Sequence, residues 1–146
     1  MIPALSSETI HASCVSIAGR GLLIGGRSGA GKSDLALRLL DRGALLVSDD
    51  YTLLRRTASG LVASAPETIR GRIEVRGVGI VDWPGATDVT VALFLDLEAE
   101  VQRLPSEVPT RRFAGIAIPM LAFDPFPASA PIKAELALRR HGLPAR

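Results

Sequence analysis

A mixed α/β domain with more strands than helices is the fold the sequence predicts, on three observations. Gly26-Arg27-Ser28-Gly29-Ala30-Gly31-Lys32-Ser33 matches G-x-x-x-x-G-K-[ST], the pattern of a phosphate-binding loop between a strand and a helix. Leu22-Leu23-Ile24 before it is a short apolar run, and Leu35, Ala36, Leu39 and Leu40 after it share one face at helical spacing. Most remaining apolar segments are short and bounded by glycine, proline or polar residues, which is a strand pattern.

Met1 to Ser7 reads as a loose end, and His11 to Ile17 alternates well enough for a strand. Gly19-Arg20-Gly21 is expected to turn tightly, because glycine reaches positive φ at little cost, and Leu22 to Ile24 is a buried strand. The helix is expected from Lys32 to Arg42, with Asp34 and Arg38 in the favourable acid-first order and Gly43 as its stop. Ala44 to Val47 predicts another buried strand. Tyr51 to Arg55 and Leu61 to Ser64 flank Thr57-Ala58-Ser59-Gly60 and predict a hairpin. Ile73 to Val81 is interrupted by Gly77 and Gly79 and gives no clear assignment. Val89 to Leu97 predicts a strand and Glu98 to Leu104 a short helix. Six prolines from Pro105 to Pro131 predict mostly loop or edge structure, with a strand near Ile116 to Leu121. Ile132 to Arg140 has helical spacing, and Gly142 can end that helix.

The 146 residues suit a single domain, 1–146. Hydrophobic residues make up 47% of the chain but aromatics only 4%, so the core must rest on Leu, Val, Ile and Ala. The net charge is +2 and the arginines are scattered, apart from short pairs such as Arg111–Arg112; this reads as solvated surface, not as a nucleic-acid footprint. Cys14 is the single cysteine, which excludes an internal disulfide and a cysteine-built zinc site and fits a reducing compartment. The chain opens on no basic-then-apolar leader and holds no apolar run of about 18 residues, so a cytoplasmic protein without a membrane segment is expected.

The loop residues have chemical reasons. Glycines let backbone N–H groups turn inward around phosphate oxygens, and the helix beginning at Lys32 adds its positive dipole end. Lys32 can reach β- and γ-phosphates, and Ser33 can offer its hydroxyl to Mg²⁺. A phosphotransferase also needs a metal ligand and a group that handles the acceptor's proton. Asp49 and Asp50 follow Ala44 to Ser48, and a strand running into two acids puts carboxylates where ligands collect in α/β sheets. Taken alone, such a pair is more often a solvated turn; beside the phosphate loop it points to function. Glu74, in Ile73-Glu74-Val75-Arg76-Gly77-Val78-Gly79-Ile80, taken alone reads rather as the wet face of a strand, and a lone histidine near a strand start, such as His11, is usually structural or exposed.

A histidine before a hairpin, then the phosphate loop, Arg42-Gly43, Ser48-Asp49-Asp50 and Glu74-Val75-Arg76-Gly77-Val78-Gly79 follow one another in this order. In this the sequence resembles the catalytic domain of HPr kinase/phosphorylase, whose hallmark is an E-x-R-G-x-G element downstream of the P-loop. The resemblance runs from about His11 to Arg103. It implies a strand-rich P-loop nucleotide-binding core of the HPr kinase/phosphoenolpyruvate carboxykinase type. It also implies ATP and Mg²⁺ as cofactors, a serine of HPr or an HPr-like phosphocarrier of the phosphotransferase system as acceptor, and a homo-hexamer. By position, it makes Asp50 the general base in the kinase direction and, protonated, the acid in reverse. Ser33 and Glu74 become metal ligands, Lys32 neutralises the transferring phosphoryl group, and His11 is an active-site histidine. Arg103, in Gln102-Arg103-Leu104, becomes an arginine near the phosphates.

Longer family members carry an N-terminal domain, whereas here the catalytic region starts almost at Met1, so the chain reads as a short form. The family's P-V-x-x-G-R-N-like element, tied to dephosphorylation, is replaced by Ala130-Pro131-Ile132-Lys133-Ala134-Glu135-Leu136. Protein serine kinase activity is therefore a stronger expectation than phosphorolysis of the phosphoserine. From another class, a nucleotide-binding regulatory sensor without phosphotransfer fits the same loop. A small-molecule kinase would need an arginine-rich lid, for which the Arg111-Arg112 loop is the candidate.

Overall fold

A computed structural model describes residues 6–145 of the chain. Its strands are β1 (Ser7–Ile10), β2 (Ala12–Ile17), β3 (Arg20–Gly25), β4 (Leu45–Ser48), β5 (Thr52–Thr57), β6 (Gly60–Ser64), β7 (Arg72–Val75), β8 (Gly79–Asp82), β9 (Asp88–Asp96), β10 (Thr110–Phe113) and β11 (Ile116–Ala122). The helices are α1 (Lys32–Asp41) and α2 (Ala130–His141). The strand-rich α/β expectation holds. Of the expected loose end, Met1 to Leu5 lie outside the described residues, and Ser7 is ordered as the start of β1, opposite Arg55 of β5.

The main sheet runs β1-β5-β6-β9-β3-β2-β4, and β7 and β8 form a separate hairpin. β9 is the axis. It pairs parallel with β3 on one side; on the other it meets β6 at its start and β11 at its end. The register slips by one residue between Gly21↔Val91 and Leu22↔Leu93, which leaves Ala92 as an extra residue. Side chains alternate along a strand, so one extra residue moves the following ones to the other face. Val89 and Val91 accordingly pack with Cys14, Leu23, Leu54 and Phe113, whereas Leu93 and Leu95 pack under the helices with Val15, Leu22, Ile24, Leu35 and Leu138. Gly21 permits the bulge, because a Cβ there would lie 3.0 Å from Thr90 O and 3.1 Å from Val91 Cα.

Several boundaries differ from the sequence expectation for local reasons. The β2–β3 turn is Ala18-Gly19, with φ of 51° and 80°, and Arg20 already pairs with Ile17. A two-residue hairpin loop matches strand twist when both its residues have positive φ, and that shifts the turn one residue earlier than expected. β4 ends the strand order and begins one residue later than expected; Leu46 and Val47 are buried as expected while Leu45 is half exposed, and the Ala86 N–H donates to Leu46 O at 3.0 Å. Glu98 to Leu104 forms no helix. The Glu98 N–H is taken by Asp96 Oδ1 at 2.9 Å, and Val101 and Leu104 stay exposed, so that segment has no buried face to stabilise a helix. Ile73 to Val81, left unassigned above, is the β7–β8 hairpin, turned at Gly77 and Gly79 with φ of 84° and 130° and anchored by buried Ile73. Within the proline-rich stretch, β10 is an additional strand. Its Arg111 guanidinium lies 5.4 Å and 5.1 Å from the Phe94 and Phe113 ring centroids, which lets a charged residue cover apolar surface. α2 begins two residues before Ile132, with Pro131 in its first turn, where the missing N–H has no partner to lose.

Among the described residues no helix is long and apolar enough to cross a membrane. Cys14 lies fully buried in the sheet, and burial pushes its thiol well above the usual range, so it stays protonated and unreactive at physiological pH. Thiol titration at pH 8 should find Cys14 unmodified in native protein and fully reactive once the chain is denatured; rapid native labelling would contradict this packing.

Candidate active site

The loop Gly26–Ser33 leaves the C-terminal end of β3 and turns directly into α1. Gly29 and Gly31 sit at φ of 85° and 103°, which only glycine adopts cheaply. Gly31 is the N-cap of α1 and no side chain caps the helix, so the first-turn N–H groups are left for an anion. Lys32 is 4% exposed and its ammonium folds back over the loop, donating to Arg27 O at 3.0 Å. Positive-φ glycines ahead of an uncapped helix N-terminus form the kind of concavity that suits an anion.

The two aspartates occupy different places. Asp49 is buried. Its Oδ1 accepts from Ser33 Oγ at 2.6 Å and from Ser13 Oγ at 3.4 Å, while its Oδ2 accepts from the Glu74 N–H at 3.0 Å. One carboxylate thus joins α1, β2 and the β7–β8 hairpin. Asp50 is the next residue and points differently because its φ is 67°, a left-handed conformation that aspartate tolerates better than most residues. The Tyr51 N–H closes a three-residue turn on Asp49 O at 2.7 Å, and the Asp50 N–H donates to Ser13 Oγ at 3.0 Å. Backbone strain of this kind persists only where neighbours hold it, and it gathers at functional sites. Here it carries the Asp50 carboxylate over the loop. Asp50 Oδ1 lies 2.8 Å from His11 Nε2 and 3.6 Å from Lys32 Nζ. His11 sits at the bend between β1 and β2 and is stacked on Tyr51 at 5.0 Å between ring centroids.

Two clefts flank the loop. The larger, about 670 Å³, is lined by Gly29, Lys32, Ser33, Asp50, Glu74 and Phe126 among others. The other, about 490 Å³, lies toward His11, Arg27, Asp96, Glu98 and Arg111. The fold therefore brings Lys32, Ser33, Asp50, His11 and Glu74 together around Gly26, Arg27, Ser28, Gly29, Ala30 and Gly31. It does not bring in Arg103, which is exposed on the irregular segment after β9 and lines neither cleft. Arg111, weighed from sequence only as part of a lid, is the β10 arginine on the second cleft. Ser13 and the linking role of Asp49 were missed. A serine two positions beyond His11 in an alternating strand was the available signal.

The oxygen donors fit Mg²⁺. The Ser33 hydroxyl hydrogen is engaged by Asp49, so its lone pairs are free for a cation, and Glu74 borders the same cleft. Among the described residues no three His, Cys, Asp or Glu side chains cluster closely enough to hold a metal by themselves. Mg²⁺ is commonly held by one or two protein oxygens together with phosphates and waters, and this arrangement suits it.

Compared with known families, residues 4–124 match the family model described as HPr Serine kinase C-terminal domain. The chain belongs to that family. The HPr kinase/phosphorylase of Chlorobium phaeobacteroides is 34% identical over 134 residues, covering 82% of this chain and 42% of the relative. That of Caldanaerobacter subterraneus subsp. tengcongensis is 35% identical over 147 residues, covering 91% of this chain and 48% of the relative. The chain thus spans less than half the length of these curated relatives. A solved structure, the Hpr(Ser) kinase/phosphatase from Coxiella burnetii, superposes with a TM-score of 0.80 at 30% identity, covering 92% of this chain and 90% of that one. The fold is therefore that of the HPr kinase C-terminal domain.

Within this family fold, Asp49 is the buried junction, and removing it leaves two hydroxyls and an amide without their acceptor. Asp49→Ala should lower unfolding free energy by about 2–3 kcal/mol. Denaturant titration checks this through a lower midpoint at unchanged slope; a midpoint equal to wild type would show that the junction contributes nothing.

Proposed function

We propose that the chain is an ATP- and Mg²⁺-dependent protein kinase that phosphorylates a serine of HPr or an HPr-like phosphocarrier. The observation that carries the reading is the Asp50 carboxylate, held at positive φ within 3.6 Å of the phosphate-loop lysine. Family membership and the likeness to the Coxiella burnetii Hpr(Ser) kinase/phosphatase support it.

The chain's own groups divide the work. The loop amides and the α1 N-terminus hold the phosphate chain, and Lys32 balances negative charge on the terminal phosphoryl group. Ser33 and Glu74 are the residues that would hold Mg²⁺, which supplies charge neutralisation between the phosphates when bound. Asp50 accepts the proton of the attacking serine hydroxyl. A carboxylate is a weak base, but it suffices where the proton leaves late in a loose transition state. His11 and Lys32 both converge on Asp50 Oδ1, so they orient the carboxylate and leave Oδ2 for the acceptor. In the reverse direction a protonated Asp50 returns the proton to the serine oxygen as inorganic phosphate attacks, releasing pyrophosphate. Arg103 has no geometric support for a role at the phosphates. Cytoplasmic location and a homo-hexameric assembly belong to this reading through the family resemblance.

Asp50→Asn tests it, since asparagine also tolerates positive φ and keeps the shape of the side chain. Transfer of labelled γ-phosphate to a purified HPr-like protein should fall about a hundredfold to ten-thousandfold while ATP still binds. Undiminished transfer would remove Asp50 as the base. Label that stays on bound ATP even with wild-type protein would favour the nucleotide sensor.

A further inference from the structure

Phe126 is 74% exposed on the segment between β11 and α2, at the rim of the larger cleft. A large aromatic side chain left in water forgoes the gain of burial, so its position calls for a ligand or a neighbour. Its ring borders the phosphate loop: Phe126 Cε1 lies 3.7 Å from where a Gly31 Cβ would stand.

The segment that carries it is tightly held. Arg38 of α1 donates to Pro127 O at 3.2 Å and to Pro125 O, and pairs with Asp34 at 3.0 Å. The Phe126 N–H donates to Asp124 Oδ1 at 3.1 Å. Pro125 has a fixed φ, and Pro127 confines the residue before it to extended backbone. The ring is therefore presented by a clamp anchored to the helix that begins at the phosphate loop, and ordering it on binding costs little.

The cleft also extends further than a phosphate chain needs. Beyond Gly29 to Ser33 it continues to Leu37 of α1 and to Phe126, and its volume of about 670 Å³ falls in the range of whole small-molecule sites. A nucleoside triphosphate gripped at its phosphates has a flat base to place beyond them, and bases stack on aromatic side chains. Building on the nucleotide-binding reading above, we infer that Phe126 is the platform on which the base of the bound nucleoside triphosphate stacks. Stacking needs only a π face, so the platform serves adenine and guanine alike.

Equilibrium binding of Mg-ATP, Mg-GTP and Mg-tripolyphosphate, which has the same phosphate chain without a base, tests the inference on the full chain. Phe126→Ala should weaken ATP and GTP about tenfold, the order expected of one base–aromatic stack, and leave tripolyphosphate affinity unchanged. Phe126→Tyr should restore nucleotide affinity. Equal weakening of tripolyphosphate would mean that the ring only shapes the loop. Unchanged ATP affinity would mean that it serves another surface, such as the acceptor protein or a second copy of the chain. Either result overturns the platform while wild-type binding of tripolyphosphate keeps the phosphate site. Wild-type protein that binds none of the three ligands would remove the nucleotide reading and the platform with it.

Discussion

One buried carboxylate holds the site together. Asp49 accepts from Ser33 on α1, Ser13 on β2 and the Glu74 amide on β7, so three elements distant in sequence share a single acceptor. A buried carboxylate is stable only when its oxygens are well satisfied, and here both are engaged. The consequence reaches the next residue. With Asp49 held and Ser13 taking the Asp50 amide, the chain closes a three-residue turn in which Asp50 has positive φ. That conformation turns Asp50 from the buried network toward the phosphate loop. Two adjacent aspartates thereby acquire separate tasks, one in organisation and one over the loop.

The main sheet makes this possible by ending its strands at the same place. β3 and β9 run parallel, and Gly25 stands opposite Asp96 where both reach the phosphate loop. Gly25 makes room for the Phe94 ring, since a Cβ there would overlap it. The bulge at Ala92 sends Phe94 to one core and Leu93 and Leu95 to the other, so β9 serves both the helix layer and the strand layer. Arg38 then links α1 to the segment before α2, and Arg42 pairs with Glu135 at 2.7 Å between the two helices. The phosphate loop is in this way supported from below by the sheet and from behind by both helices.

Much of this was legible because local chemistry was unambiguous. The glycine-rich loop, the Leu35 to Leu40 face and the Gly43 stop each follow from a backbone requirement that few residues meet. The order of the Asp pair and the Glu74–Gly79 element pointed to the same family that the comparisons identify. What stayed hidden depended on distant partners. The helix expected at Glu98 to Leu104 fails because no surface is there to bury Val101 and Leu104. β10 was obscured because Arg111 gains its place from aromatic rings contributed partly by β9. The linking role of Asp49 needs Ser13, 36 residues earlier, which no local pattern connects to it. Arg103 was carried by resemblance alone, and the exposed segment it occupies leaves it away from both clefts.

The proposed kinase function requires terminal phosphates held at Gly29 to Ser33 with the Asp50 carboxylate facing them. A crystal structure with Mg²⁺ and a non-hydrolysable ATP analogue tests this most directly. It should show the γ-phosphate between the loop amides and the Lys32 ammonium, with Asp50 on the open side where a serine hydroxyl would approach. A triphosphate bound away from the loop, or an Asp50 side chain turned from the terminal phosphate, would contradict it.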